Sequence, residues 1–183
     1  AGFRAHADSV WKATATEKPP QRSAFESDLE WNDALLDWDR LGPLPHNAKV
    51  TLIESLLGKP KTKSKIAHND GEAPLGAYSQ TWRYPELGLE LTIHGKDPKL
   101  EDGSMTNLEV SAGSTIKSRL GIGVGSSEAD ARAVYGPFLN AESSTTHFLA
   151  IGWEWTFLVF EVRDGKVVKA AYGFDALPSE REE

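Results

Sequence analysis

Two segments of the chain open with the same kind of short helix pattern, and this repetition constrains the fold more than any other feature. Helices are predicted at 47–57 and 127–135, each followed by a glycine and then by Pro60 or Pro137. Glycine supplies the positive φ at which a helix ends, and proline prevents the helix from resuming. Similar segments that recur along one chain are typical of a protein built from repeated units.

Predicted strands follow both helices in the same order. Alternating polar and apolar residues, separated by turn residues such as Asp164-Gly165, indicate antiparallel strands. The predicted strands are 78–84, 89–94 and 105–112 in the first segment and 147–153, 155–162 and 167–174 in the second. We therefore predict an α+β fold with two tandem helix-plus-antiparallel-sheet units, repeat unit one at 42–120 and repeat unit two at 121–183.

An N-terminal extension, 1–41, precedes these units and contains a predicted acidic helix at 23–41. Its apolar side chains recur at helical spacing, and a glycine–proline pair ends it. The apolar positions are Phe25, Leu29, Leu35, Leu36 and Trp38. The opposite face carries several carboxylates, of which Asp33 and Asp37 are the candidate partner-binding residues. Two interpretations stay open, a solvated helix face and an acidic docking surface for a basic partner.

Aromatic residues lie at matching positions of the two segments: Trp82 and Tyr84 in one, Trp153 and Trp155 in the other. In each pair, two residues separated by one position share a face of the strand. If the helices cover the opposite face, these residues form an open aromatic surface, and Trp and Tyr are enriched at interface hot spots. All four are therefore candidate partner-binding residues; the alternative is that they belong to the core.

The composition narrows the classes of partner and chemistry. The net charge of −7 disfavours binding to nucleic acid and to anionic membranes, and it suits a basic protein partner. The absence of cysteine excludes disulfides, thiolate metal sites and cysteine nucleophiles. No apolar run approaches the roughly 20 residues of a membrane-spanning helix.

Motifs that would indicate catalysis or a cofactor fail in detail. The glycines of 121–125 lack the spacing and the following Lys-Ser/Thr pair of nucleotide-binding loops. The five histidines have no second histidine at i+3 or i+4. The alternating lysines of 59–65 indicate an edge strand or an exposed loop kept soluble by lysine, with a phosphate site as the alternative. We therefore expect no enzymatic activity, no metal and no cofactor.

The start of the second segment resembles a known pattern. The stretch is Leu120-Gly121-Ile122-Gly123-Val124-Gly125-Ser126-Ser127-Glu128-Ala129-Asp130, followed by Tyr135-Gly136-Pro137. It resembles the opening of a repeat in small bacterial envelope domains of the SmpA/BamE type and the beta-lactamase-inhibitor-protein type. In those domains a glycine-containing strand leads into a capped helix, and antiparallel strands follow. The resemblance covers 42–174 and leaves the extension unexplained.

This resemblance implies a periplasmic or secreted protein that acts by binding other proteins. We expect an inhibitor or immunity protein that occludes a secreted or toxin enzyme, with a basic protein as its partner. The alternative is an envelope assembly or scaffold lipoprotein of the SmpA/BamE kind, which a lipid-bearing N-terminal cysteine would favour.

Overall fold

The computed structural model describes residues 18–68, 76–153 and 156–174 of this 183-residue chain. The described residues form three α-helices: α1 (Asp28–Trp38), α2 (Val50–Leu57) and α3 (Glu128–Tyr135). Their strands are β1 (Thr62–Lys63), β2 (Ala67–His68), β3 (Tyr78–Tyr84), β4 (Leu89–Gly95), β5 (Ser104–Val110), β6 (Phe148–Trp153), β7 (Thr156–Arg163) and β8 (Lys166–Phe174). The long strands, α2 and α3 lie within a few residues of their predicted positions.

All of these strands belong to one antiparallel sheet, in the order β1-β3-β4-β5-β8-β7-β6, with β2 also paired to β3. Strands β3-β4-β5 form one meander and β6-β7-β8 form another, and a helix precedes each. The last strands of the two meanders pair, so that Leu108 lies opposite Tyr172. An α+β fold dominated by antiparallel sheet is thus confirmed, and the segments 42–120 and 121–183 share a single sheet.

The helices cover one face of this sheet. Along that face a row of buried side chains crosses the strands: Leu91, Leu108, Tyr172, Leu158 and Ile151. Buried side chains of α1, α2 and α3 belong to the same apolar cluster. None of the described helices has the length and apolar character needed to cross a membrane.

Strand β7 is buried on both faces. Phe157 and Val159 point away from the helices, yet each is only 3% exposed, and Ala150 and Ala171 pack beside them. The continuous apolar run of β7 explains this environment, because a strand covered on both faces has no need of the polar alternation seen in half-exposed strands.

Helix α1 is shorter than the helix predicted at 23–41. It begins after Ser27, whose hydroxyl accepts from the Glu30 N–H at 3.2 Å, while the Glu30 carboxylate accepts from the Ser27 N–H. This reciprocal capping box fixes the helix start. The prediction that Leu29 belongs to the buried stripe is wrong, since Leu29 is 42% exposed and Asn32 lies on the buried face instead.

The described part of the predicted N-terminal extension, residues 18–41, contributes buried side chains to the core. Leu35 and Leu36 are buried, and α1 packs on β6 and β7. The Tyr172 hydroxyl of β8 donates to the Leu36 carbonyl at 3.2 Å and accepts from the His46 backbone N–H at 3.1 Å. The buried side of α1 is therefore tied to the sheet by packing and by the hydrogen bond from Tyr172 to the Leu36 carbonyl.

A buried carboxylate, that of Asp39, anchors the end of α1. Its Oδ1 accepts from the Leu120 N–H at 3.0 Å, and its Oδ2 accepts from the Tyr135 hydroxyl at 2.5 Å. Ser118 Oγ lies 2.6 Å from the Tyr135 oxygen, and Ser118 also forms a β-bridge with Leu41. This group, the Asp39 cluster, joins α1 to α3 and to the connection between the two meanders.

Hydrogen bonds within the Asp39 cluster offset part of the cost of burying the Asp39 carboxylate. Desolvation raises the pKa of Asp39, and hydrogen bonds from Tyr135, Leu120, Arg119 and Ser118 oppose that rise. Desolvation and the neighbouring Asp39 charge raise the pKa of Tyr135, so this hydroxyl keeps the proton that it donates to Asp39.

We predict that Asp39→Ala lowers the free energy of unfolding by about 2–4 kcal/mol, because it leaves the Leu120 N–H and the Tyr135 hydroxyl buried without their acceptor. Asp39→Asn keeps an acceptor of the same shape and should cost less. Urea unfolding followed by tryptophan fluorescence measures both values. Equal stability of Asp39→Ala and the wild type would show that the cluster does not anchor α1.

The free energies of unfolding of Asp39→Asn and of the wild type should depend differently on pH. The folded-state pKa of Asp39 lies above the unfolded value near 4, so the proton binds the folded state more tightly. This contribution is fully present below the unfolded pKa and is lost as pH rises through the folded pKa. The stability of Asp39→Asn relative to the wild type should therefore increase with pH.

Candidate functional site

The structure places Trp82 and Tyr84 in the core, on the helix-covered face of the sheet, with exposed fractions of 2% and 5%. Lys63 Nζ lies 3.7 Å from the centre of the Trp82 ring. The Tyr84 hydroxyl donates to the Gly58 carbonyl at 3.0 Å, and burial raises the pKa of Tyr84 to about 12. The prediction that these residues form an open partner-binding surface is wrong. Alternation groups residues on one face but does not show which face the helices cover.

The second predicted aromatic pair lies at the β6–β7 hairpin. The Trp153 backbone pairs with Thr156 there, and Trp155 lies outside the described residues. Their assignment as partner-binding residues stays a prediction.

Four carboxylates follow the solvent side of α1 and its N-terminal flank: Glu26, Glu30, Asp33 and Asp37. Glu30, Asp33 and Asp37 are spaced by three and four residues and so lie on one side of the helix. Glu26 precedes the helix, and its backbone N–H donates to the Glu30 carboxylate at 3.2 Å; all four carboxylate residues are exposed. This row, the acidic stripe, contains both predicted carboxylates. At one end of it, Asp37 Oδ1 lies 3.8 Å from His46 Nδ1.

An apolar side chain lies beside the acidic stripe. Leu29 is 42% exposed, three residues after Glu26 and four before Asp33. Among the large apolar residues of the described chain, only Leu52 and Ile66 are comparably exposed. An apolar centre with a charged rim is the usual anatomy of a protein interface.

The sheet face opposite the helices is polar over β3, β4 and β5. It carries ion pairs between neighbouring strands, Arg83 with Glu90 at 2.5 Å and Lys169 with Glu109 at 2.7 Å. Charges that neutralise each other in pairs exert little long-range attraction on a charged partner. The acidic stripe is therefore the better candidate for electrostatic docking.

The lysine run at 59–65 lies at the outer edge of the sheet, where β1 pairs with β3. Within this run only Thr62–Lys63 form the edge strand β1, and the flanking lysines lie in exposed loop, in agreement with the predicted edge strand or exposed loop. Lys61 Nζ lies 3.8 Å from a carboxylate oxygen of Glu86, and Lys63 Nζ lies 3.7 Å from one of Glu54. Two of the lysines are engaged by carboxylates, which disfavours the alternative of a phosphate site.

Within the described ranges, no group of three or more His, Asp or Glu residues is arranged to hold a metal ion. His94 Nδ1 lies 2.8 Å from Thr106 Oγ1, and burial lowers the pKa of His94. The Thr106 hydroxyl also contacts the Thr92 carbonyl at 3.3 Å. These contacts give His94 a packing role between neighbouring strands.

A cleft of about 190 Å³ opens between the first turns of α1 and the segment 137–141, beside the end of β6. Its walls include Asp28, Trp31, Asn32, Phe138, Asn140 and Gly152. The centres of the Trp31 and Phe138 rings are 6.4 Å apart, so the two rings form one continuous aromatic wall. We refer to this feature as the Asn32 cleft.

Two buried polar residues, Asn32 in α1 and Asp39 just after it, were not predicted from the sequence. Both lie on the apolar side of the predicted helix, three residues before and four residues after Leu35. Their exposed fractions are 4% and 2%. A polar residue at a buried helical position is the signal that could have found them, since buried polar groups persist where they have hydrogen-bond partners or a role.

Comparison with models of known protein families, with curated proteins and with solved structures finds no match to this chain. The resemblance to the SmpA/BamE and beta-lactamase-inhibitor-protein types therefore rests on the residues quoted for it alone.

Proposed function

We propose that this protein binds another, basic protein through the acidic stripe and Leu29, and that it acts as an inhibitor or immunity protein against a secreted enzyme or toxin. The observation that carries the proposal is a helix held to the core on one side while a row of four carboxylates faces solvent on the other.

Charge supports the choice of partner. The chain carries −7, and the acidic stripe concentrates four of its carboxylates in one row. A field of one sign raises the rate of encounter with a partner of the opposite sign. A basic secreted enzyme or toxin would therefore be attracted before any contact forms.

Rigidity supports the choice of surface. Binding costs conformational entropy when the surface must order itself, and a preorganised surface avoids that cost. The capping box at Ser27, the packing of Leu36 and the Asp39 cluster fix α1 at its start, middle and end. The acidic stripe is thus presented by a helix whose position is set by the core.

The proposal extends to the relation between the two helix-plus-meander segments. We infer that the two helix-plus-meander segments are tandem units related by the β5–β8 pairing, in which Leu108 and Glu109 lie opposite Tyr172 and Ala171. The same order of helix and three strands in both segments supports this. A periplasmic or secreted location follows from the family resemblance and from no other observation.

The acidic stripe is tested with the double charge reversal Asp33→Lys/Asp37→Lys. A partner is first captured from the secreted fraction of the source organism and identified by mass spectrometry, and association rates are then measured by stopped flow. At low salt we expect association to slow roughly tenfold, because steering is lost. The effect should shrink at high salt, where the Debye length falls to about 3 Å at 1 M.

The matched control is Glu86→Lys/Glu101→Lys, which reverses two exposed carboxylates that lie outside α1 and outside the walls of the Asn32 cleft. Each reversal adds two charge units, so both double variants carry −3 instead of −7. Equal slowing by the control would assign the effect to net charge and would overturn the acidic stripe as the docking surface.

The apolar part of the surface is tested with Leu29→Ala. Loss of apolar contact at an interface costs about 1–2 kcal/mol, so dissociation should become about 5–30-fold faster while association changes little. Leu52→Ala is the matched control, since Leu52 is 39% exposed and lies on α2. Surface plasmon resonance with the identified partner measures both rates. Unchanged dissociation of Leu29→Ala would remove Leu29 from the interface.

A further inference from the structure

The Asn32 cleft contains an amide that the fold does not satisfy. Asn32 is 4% exposed, and its Nδ2 has no hydrogen-bond partner among the described residues. An unpaired buried donor destabilises the folded state, and native proteins contain few of them. The nitrogen is enclosed by protein atoms, so it reaches a ligand through rotation of the amide about χ2, which is a broad torsion.

The second amide of the Asn32 cleft is fully engaged. Asn140 Nδ2 donates to the Gly152 carbonyl at 2.8 Å, while its Oδ1 accepts from the N–H groups of Glu142 and Ser143 at 3.0 and 3.1 Å. Asn140 thus shapes the rim of the cleft. Among the polar side chains named in its walls, Asn32 and Asp28 remain to recognise a ligand.

The chemistry of these two groups defines the ligand. Asp28 lies at the rim with its side chain 69% exposed, and Arg22 Nε contacts its Oδ1. A carboxylate repels an anion, and a cation would leave the Asn32 donor without an acceptor. The ligand that fits is neutral, with one acceptor for Asn32 and one donor for Asp28.

We propose that the Asn32 cleft binds one residue of an extended peptide segment of the partner protein. Its main-chain carbonyl accepts from Asn32 Nδ2, its N–H donates to the Asp28 carboxylate, and its apolar or aromatic side chain packs on Trp31 and Phe138. A sugar ring also offers donors and acceptors, but its several hydroxyls need more polar partners than the cleft provides. This inference rests on the proposed function and adds a second point of contact to it.

The test uses N-acetyl-L-phenylalanine N-methylamide as the probe. It is titrated into the full chain while the side-chain NH₂ signals of Asn32 and the backbone amides of Phe138 are followed by ¹⁵N NMR. We expect saturable shifts with a Kd on the order of a millimolar, as befits a ligand of this size. Asn32→Leu identifies the NH₂ signals and should abolish the shifts at Phe138.

A structural effect of the substitution is separated from loss of binding by stability. Asn32→Leu replaces an unpaired buried amide with an apolar group of similar volume, so its Tm should equal or exceed that of the wild type. Asn107→Leu is the matched control, because Asn107 Oδ1 is likewise buried and unpaired but lies in β5. This variant should bind the probe as the wild type does.

Methyl β-D-glucoside is titrated in parallel. Shifts with the glucoside and none with the capped phenylalanine would overturn the peptide in favour of a sugar, and shifts with neither would overturn the site. The probe assay does not involve the acidic stripe, so the two proposals can fail separately. The probe can fail to bind while charge reversal at Asp33 and Asp37 still slows association with the partner. Equally, the probe can bind while charge reversal has no effect on association.

Discussion

The hydrogen bond between the Tyr135 hydroxyl and the buried Asp39 carboxylate is the contact on which the arrangement of the helices depends. Asp39 follows α1 and Tyr135 ends α3, while Leu120, which also donates to Asp39, lies in the connection between the two meanders. A buried carboxylate is tolerated only where several donors surround it. This requirement brings three distant parts of the chain together and fixes α1 over β6 and β7.

The proposed function depends on what that anchoring leaves exposed. One side of α1 supplies Leu35, Leu36 and Asp39 to the core, and the other side supplies the acidic stripe and Leu29 to solvent. A helix that frays would spread its carboxylates over many positions, whereas an anchored one holds them in a fixed row. Electrostatic steering and a preorganised contact surface are then two properties of one element.

Local chemistry explains which parts of the fold could be predicted from the sequence. Glycine with proline close behind it marks the ends of α2 and α3. Alternation between turn residues marks most of the long strands, and a continuous apolar run marks β7; these signals depend on neighbours in the chain. The face on which Trp82 and Tyr84 lie depends on where the helices pack, which is a tertiary property. The exposure of Leu29 depends in the same way on how α1 is rotated over the sheet.

The residues of the candidate site likewise fall into those that could be predicted from the sequence and those that could not. The exposed positions of Asp33 and Asp37 could be predicted because carboxylates at helical spacing on a polar face are visible in the sequence. The positions of Asn32 and Asp39 could not be interpreted from the sequence, because the residues around them lie far along the chain. These are Phe138 and Asn140, which line the cleft with Asn32, and Leu120 and Tyr135, which donate to Asp39. Only the folded chain brings those groups together.

Native-state hydrogen exchange of the amides of α1 tests most directly whether this helix is an anchored part of the core. The account predicts that the amides after the first turn, in 32–38, exchange with the same free energy of opening as those of β7 and β8, because α1 opens only when the core does. Fast exchange across 32–38 while β7 and β8 remain protected would contradict it.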